Sequence, residues 1–442
     1  MKLDVNNLLN LSEQIVSYAK SKAKCEAQVV ISSGTEFTAE IREQKIEKLV
    51  EAGSKIISFK AIVDNKVATA STSDFKEQTI LDLVDNAIKR AKYTSKDEFA
   101  VLPTKEEIKI SADKLKIYDP NILKVSPEKK IKLAMELEKI AMADKRITVS
   151  SGAWCGTYVS EEYLANSNGF VGSYKSSSSN AGVYMQAGDT DNKVEDGWWS
   201  NAIGFDKLEN AENIAKKAIH RVTRLLNSRK ISTQSVPIVM EPAMTARLLG
   251  FLASCITGRM IYMNQSYLAG KINQEIAQKN LKIIDDGTMP GKFGSRPFDS
   301  EGVPTRSTPI LENGILKNYL LDTYSAKKLN MKSTGHAGGT TNFYLEAGKN
   351  SPEEIIKSVD KGLLLVKTIG QGTMPSTGSI STGAYGIWIE KGELTYPVHE
   401  ITINGNLADI LKNIEMIGND LVFDRSTVGP TIKVNGISIS GE

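Results

Sequence analysis

Residues 127–145 read PEKKIKLAMELEKIAMADK, and the run that follows, RITVSSGAWCGTYVSEEYLANSNGF over 146–170, changes period at once. In the first run Ile131, Leu133, Met135, Leu137, Ile140 and Ala141 supply the apolar positions of a helix. In the second the pattern becomes strand-like. Four strand-like segments are expected across 146–204, parted by turns at 166–169, 176–180 and 189–192, with a helix over about 206–227 closing the unit. Working back toward the N-terminus, the same order recurs. Residues 6–23 space Leu8, Leu9, Ile15, Val16 and Ala19 as a helix. Segments 27–32 and 37–42 read as a hairpin around Ser33-Gly34, and 55–63 and 67–73 flank a turn at Asp64-Asn65. Residues 76–94 place Ile80, Leu83, Val84, Ala87 and Ile88 on one helical stripe. Helix, strands, helix, twice over, predicts a duplicated unit (1–97 and 127–230) joined by a Lys-rich connection containing Pro103 and Pro120.

From Ser235 the texture changes. A strand over 235–240 leads into a helix over 242–256. Gly-punctuated strands are then expected at 314–322, 362–369, 384–391 and 429–440, with a short helix over 406–417. The fold class is therefore α+β: an α/β region over 1–230, then a mostly antiparallel β domain over 231–442, sandwich or barrel-like.

Composition narrows the function. The 442 residues carry 55 Lys+Arg and 52 Asp+Glu, a formal charge of +3 with both signs interspersed. Direct DNA contact is not expected, because phosphate neutralisation needs a clustered basic surface. No apolar run reaches the ~18–20 residues that span a bilayer, and the longest, 246–256, contains Arg247. The N-terminal stretch, with Asp4 and Glu13, lacks the apolar core of a secretory signal. The cysteines Cys25, Cys155 and Cys255 are odd in number and far apart, which suits a reducing compartment and a cytoplasmic protein.

Three histidines leave little room for metal chemistry. His220, among Lys216, Lys217 and Arg221, reads as a solvated helix residue. His336 lies in STGHAGG (333–339), where backbone can approach a ligand or simply turn. His399-Glu400 follows Tyr396-Pro397 at a strand start and reads as structural. No H-E-x-x-H occurs, GISISG (436–441) is wrongly spaced for a nucleophile elbow, and Gly370-Gln371-Gly372 lacks the later glycine of a dinucleotide loop. Asp189-Thr190-Asp191 begins like a calcium loop, but Val194 stands where glycine is needed. Asp285, Asp286, Asp299 and Glu301, set among Gly287, Pro290, Gly291 and Gly294, read as a solvated loop.

Three ordered blocks of the C-terminal half carry a resemblance. They are GSRPFDSEGVPTR (294–306), YLLDTYSAKKL (319–329) with STGHAGG, and GIWIEKG (386–392) with YPVHEITI (396–403) and GND (418–420). Together they resemble the TldD/PmbA family, in its PmbA/TldE branch. The resemblance implies a cytosolic metallopeptidase system for proteolysis and peptide maturation, historically called modulator of DNA gyrase, in which a zinc-bearing TldD-like chain pairs with a PmbA/TldE chain. In TldD-type chains an H-E-x-x-x-H helix and a later cysteine hold the zinc. The matching helix here is MTARLLGFLASC (244–255), which puts Gly250 and Phe251 at the first His and the Glu, and Cys255 at the second His. Cys255 is the last cysteine. The resemblance thus implies a degenerate zinc site, no metal on this chain, and zinc in the partner. An i to i+5 ligand pair would stand about 140° apart on an ideal helix, so without a metal an ordinary α-helix is expected. His336, Gly338, Gly339, Gly372 and Tyr385 are candidates for lining a substrate groove that takes a peptide or unfolded protein, by strand addition to an exposed edge. A homodimer of the isolated chain is a further expectation. Two alternatives stay open: a self-sufficient peptidase with a metal on His336, His399 and Glu400, and a protein-binding modulator of gyrase.

Overall fold

The computed structural model describes residues 3–189, 192–370 and 372–441. In the first of two similar units α1 (Leu8–Lys22) precedes three antiparallel strands, β1 (Glu26–Arg42), β2 (Lys45–Val63) and β3 (Lys66–Thr72), and α2 (Glu77–Ala91) follows. One helical turn, α3 (Ala112–Leu115), lies in the connection. The order then repeats as α4 (Pro127–Met142), β4 (Ile147–Asn166), β5 (Val171–Ala187), β6 (Val194–Ala202) and α5 (Ala211–Thr223). The six strands form one sheet, β3-β2-β1-β4-β5-β6, so the first strands of the two units pair antiparallel at its centre. Topologically, each half mirrors the other about an axis between β1 and β4.

Each unit holds three long strands where four short ones were expected. Residues 33–34 and 176–180 lie inside β1 and β5 and are not turns. Gly34 is required by the central pairing: a Cβ there would stand 2.9 Å from the Val159 carbonyl oxygen. The hairpin between β1 and β2 falls at Glu43 and Gln44, both left-handed (φ 52° and 58°), with no Gly or Asn to announce it. Its support comes from the other unit. The buried Glu138 carboxylate on α4 accepts from the Glu43 and Gln44 amides at 2.9 and 2.7 Å, and from the Ser150 hydroxyl. The run Asp189-Thr190-Asp191 lies partly outside the described residues.

Both helix pairs cover the same face of the sheet. Leu11 and Ile15 of α1 and Val84 and Ala87 of α2 pack on Val29, Ile31, Ile57 and Phe59. Leu137 of α4 and Ile214 and Ala218 of α5 pack on Ile41, Cys155, Val183 and Met185. β1 therefore runs from one apolar core into the other.

The remaining elements are β7 (Gln234–Met240), α6 (Pro242–Cys255), α7 (Gly258–Tyr262), β8 (Ile283–Asp286), β9 (Ser307–Glu312), β10 (Ile315–Leu316), α8 (Thr323–Lys328), β11 (Phe343–Leu345), α9 (Pro352–Lys357), β12 (Lys361–Ile369), β13 (Thr373–Met374), β14 (Ser379–Glu390), β15 (Glu393–Asn406), α10 (Leu407–Lys412), β16 (Ile414–Ile417), β17 (Thr427–Val428) and β18 (Ile432–Ser440). They build a five-stranded sheet, β10-β9-β8-β11-β17, and a seven-stranded sheet around β12-β7-β18-β15-β14-β13 with β16 beside β18. Pairing is antiparallel except at β7–β12 and β11–β17. The strand expected at 314–322 shrinks to β10, and the helix expected at 406–417 divides into α10 and β16. α6 sits inside this part: Leu248, Leu249, Phe251, Leu252 and Cys255 share a core with Ile238, Leu363 and Ile401.

The uncovered face of the six-stranded sheet meets the second part of the chain. Phe298 packs edge-on against Phe170 (4.9 Å) and Tyr174 (5.2 Å), and the Gln28 amide donates to the Ser300 carbonyl. Among the described residues, no helix is long and apolar enough to cross a membrane.

Gly34→Ala tests the central pairing. The added methyl meets backbone, which cannot swing aside, so a loss of about 1–3 kcal/mol is expected, read as a lower midpoint in urea. An unchanged midpoint would mean that the strands separate freely there.

Candidate functional site

β7 delivers the chain to Glu241, and Pro242 opens α6 at the position where a missing N–H costs nothing. Glu241 does not cap the helix with its side chain. Its carboxylate is instead clamped by the Arg224 guanidinium at 2.6 and 2.9 Å, tying the end of α5 to the start of α6. From there α6 runs as an uninterrupted, ordinary α-helix to Cys255.

The three positions of interest point in different directions. Gly250 is exposed, and a Cβ on it would meet nothing within 4 Å. Phe251 is buried in the core of the second part of the chain. Cys255 is fully buried, and burial pushes its thiol up to about 12. Zinc does not fit these residues: one has no side chain, one has no donor atom, and the third is a protonated thiol facing the core.

Beyond α6 the chain turns at Thr257 into α7, where the Gly258 amide donates to the Leu320 carbonyl at 2.8 Å. Gly258 must be glycine, because a Cβ would stand 2.1 Å from the Ser325 hydroxyl. This corner faces the Gly-rich loop 333–339 across a cleft of about 380 Å³, lined by Ser254, Thr257 and Arg259 on one side and His336, Gly339 and Thr340 on the other.

The loop is held by buried polar side chains. His336 Nε2 lies 2.7 Å from Asp285 Oδ2, and Nδ1 lies 2.8 Å from the Thr334 hydroxyl. Asp285, fully buried at the end of β8, also accepts from the Thr341 amide (2.9 Å) and hydroxyl (2.6 Å). Asp299 accepts from the amides of Glu301, Val303 and Ala337 at 2.9, 3.0 and 2.9 Å, while burial pushes its carboxyl up to about 6. Glu301 accepts from the Thr323 amide. The expected solvated loop is thus corrected: Asp285, Asp299 and Glu301 are buried acceptors that fix loop backbone. A histidine between glycines and a distant Asp-Asp pair were the available signals, but 51 residues separate the partners.

The expected groove residues divide. His336 and Gly339 line the cleft and Gly338 adjoins it, its positive φ of 98° fitting glycine. Gly372 lies elsewhere, pressed against the Ser381 carbonyl. Half-buried Tyr385 packs toward the α4–α5 core, with Lys367 Nζ 6.0 Å from its ring. His336, His399 and Glu400 do not assemble either. Both His336 nitrogens are engaged, and His399 stands 3.5 Å from Glu400, whose carboxylate pairs with Lys230 at 2.9 Å. Among the described residues, no three His, Cys, Asp or Glu side chains are placed to share a metal ion. His220 is exposed on α5.

Comparison with known proteins matches three family descriptions in succession: PmbA/TldA metallopeptidase domain 1 over residues 27–91, the central domain over 120–226, and the C-terminal domain over 233–441. The metalloprotease PmbA homolog of Haemophilus influenzae is 33% identical over 437 residues, 97% of this chain and 96% of that protein. A Bacteroides thetaiotaomicron protein, solved as a candidate modulator of DNA gyrase, superposes with a TM-score of 0.92 at 28% identity, covering 100% of both chains. TldE from Thermococcus kodakarensis shares the fold, with a TM-score of 0.86 at 22% identity over 97% of this chain and 99% of that one.

His336→Ala removes one of the partners of the buried Asp285, which keeps the Thr341 donors, and a loss of about 1–3 kcal/mol is expected. Thermal and urea midpoints check this. Full stability in the variant would show that the pair does not hold the loop.

Proposed function

The chain belongs to the PmbA/TldD metallopeptidase family, and we propose that it is the non-catalytic, PmbA/TldE-like subunit of a cytoplasmic peptidase, paired with a TldD-like chain that carries the zinc. The observation behind this reading is the fate of three positions on α6. A zinc hydrolase needs ligands with lone pairs and a carboxylate to take a proton from the metal-bound water. Gly250 offers open space, Phe251 an aromatic ring in the core, and Cys255 a buried thiol.

What the chain does offer is a rigid frame. The Glu241 clamp fixes one end of α6, and the Asp285–His336 pair fixes the loop facing the other end. In this reading such a frame holds a partner of the same fold in register and helps enclose an extended peptide substrate, destined for degradation or maturation. The free thiols Cys25, Cys155 and Cys255 suit a reducing compartment. The gyrase-modulator description of a relative is accommodated through protein substrates, since a net charge of +3 with interspersed signs gives little purchase on DNA.

Elemental analysis and a peptidase assay test this directly. The untagged chain alone is expected to carry far less than one zinc and to leave an unstructured peptide intact, whereas the complex with a TldD-like chain carries about one zinc per pair and cleaves it. Stoichiometric zinc on the isolated chain would overturn the reading.

Substitutions on α6 give a second test. Gly250→His, in open space, is expected to change stability by no more than about 0.5 kcal/mol. Cys255→His overpacks a filled core and is expected to cost about 1–3 kcal/mol. Urea midpoints distinguish them, and equal tolerance at both sites would mean that the core around Cys255 has room for a ligand.

A further inference from the structure

A second cavity, of about 400 Å³, lies where the uncovered face of the six-stranded sheet meets the segments around Lys292 and Arg296. Its sheet side comes from alternate residues of two paired strands. Ser160 of β4 stands directly opposite Ser176 of β5, with Tyr158 opposite Ser178, so their side chains share one face. Tyr174 extends that row, and Thr340 and Ser426 close the cavity from the other side.

Two features of the lining are unusual together. It carries two cations and no carboxylate. Neither Lys292 nor Arg296 forms an ion pair among the described residues. Arg296 donates one guanidinium N–H to the Gly339 carbonyl at 2.8 Å, and its buried Nε has no partner. Lys292 Nζ sits 4.6 Å from the centre of the Phe423 ring, which leaves its N–H donors free of any acceptor charge. The hydroxyls of Ser160, Tyr174, Ser176, Ser178, Thr340 and Ser426 likewise make no hydrogen bond among the described residues. Those of Tyr158, Ser177 and Ser295 are already engaged.

Two carboxylates stand near this row, Glu162 on the same sheet face directly opposite Tyr174 and Asp299 on the facing segment. Glu162 accepts from the Ser32 hydroxyl, Asp299 is occupied by three amides, and neither lines the cavity. Burial pushes the Tyr174 phenol up to about 12, so it remains a donor at neutral pH.

From the convergence of two unpaired cations and six uncommitted hydroxyls on one half-open pocket, we infer that this cavity binds a small polyanion bearing phosphate or carboxylate groups. Charged oxygens would take the Lys292 and Arg296 N–H groups, and the hydroxyls would donate to the rest. The site is distinct from the cleft beside α6; Thr340 lines both, and Arg296 of this cavity bonds the Gly339 carbonyl of the cleft. Because the two sides of the cavity come from different parts of the chain, a bound anion would tie the sheet to the loop that carries His336.

Calorimetry and thermal unfolding of the full chain in HEPES, with NaCl matched for ionic strength, test this with pyrophosphate in one arm and citrate in the other. Either anion is expected to bind with saturable heat and to raise the unfolding temperature as its concentration rises. Stronger binding of pyrophosphate identifies a phosphate ligand, and stronger binding of citrate a carboxylate ligand. Lys292→Gln, at a half-exposed residue, should weaken binding about tenfold, and Ser160→Ala should weaken it less, both without changing the anion-free unfolding temperature. No binding beyond the NaCl control, or undiminished binding in both variants, would overturn the inference.

Discussion

The antiparallel pairing of β1 with β4 is the constraint on which the rest of the molecule depends. It joins two units of equal design into one sheet, and its register, from Gln28 opposite Asn166 to Ile41 opposite Ala153, decides which side chains face which way along both central strands. Odd-numbered residues of β1 then feed two apolar cores in succession, first against α1 and α2, then against α4. The opposite face is left polar and uncovered by helices. That face receives the second part of the chain and, with it, forms the hydroxyl-lined cavity. Without the glycine at position 34, whose missing side chain lets the two backbones close, the face could not be continuous.

In the second part of the chain, buried hydrogen-bonded side chains do a similar job. Asp285, His336, Thr334 and Thr341 satisfy one another, so a loop rich in glycine is held in one conformation. This arrangement uses histidine as a structural bolt with both ring nitrogens engaged. It also explains why the carboxylates around 285–301 are buried although their neighbours in sequence are glycines and prolines: each accepts from backbone amides that would otherwise lie unsatisfied in the interior.

Much of the fold was legible where a signal is local. The amphipathic stripes of α1, α2 and α4, the helix opened by Pro242, and the turns at Asp64-Asn65 and 166–169 all follow from neighbouring residues. The errors share a cause. Ser33-Gly34 and the serines of 176–178 look like turns, yet the glycine answers a neighbouring strand and the serines face a cavity. The true β1–β2 turn has no turn residue of its own, because Glu138, 95 positions away, supplies its support. The same holds at the site. The resemblance located Gly250, Phe251 and Cys255 on α6, and the glycine pattern located the His336 loop. Gly372 and Tyr385, the other groove candidates, carry no motif of their own, and the strands place them away from the His336 cleft.

The central pairing also fixes an order of events during synthesis. β1 is complete at residue 42, but its second neighbour ends at residue 166. While the intervening chain emerges from the ribosome, β1 presents one bare edge to its surroundings, along with the apolar residues that later contact the second helix pair. The first unit can collapse around α1 and α2 early, whereas the far end of β1, from Phe37 to Ile41, waits for a partner encoded more than a hundred codons downstream. Closure of the sheet is thus a long-range step that is slow by nature, and until it occurs the nascent first unit carries an unpaired strand edge that invites misassembly.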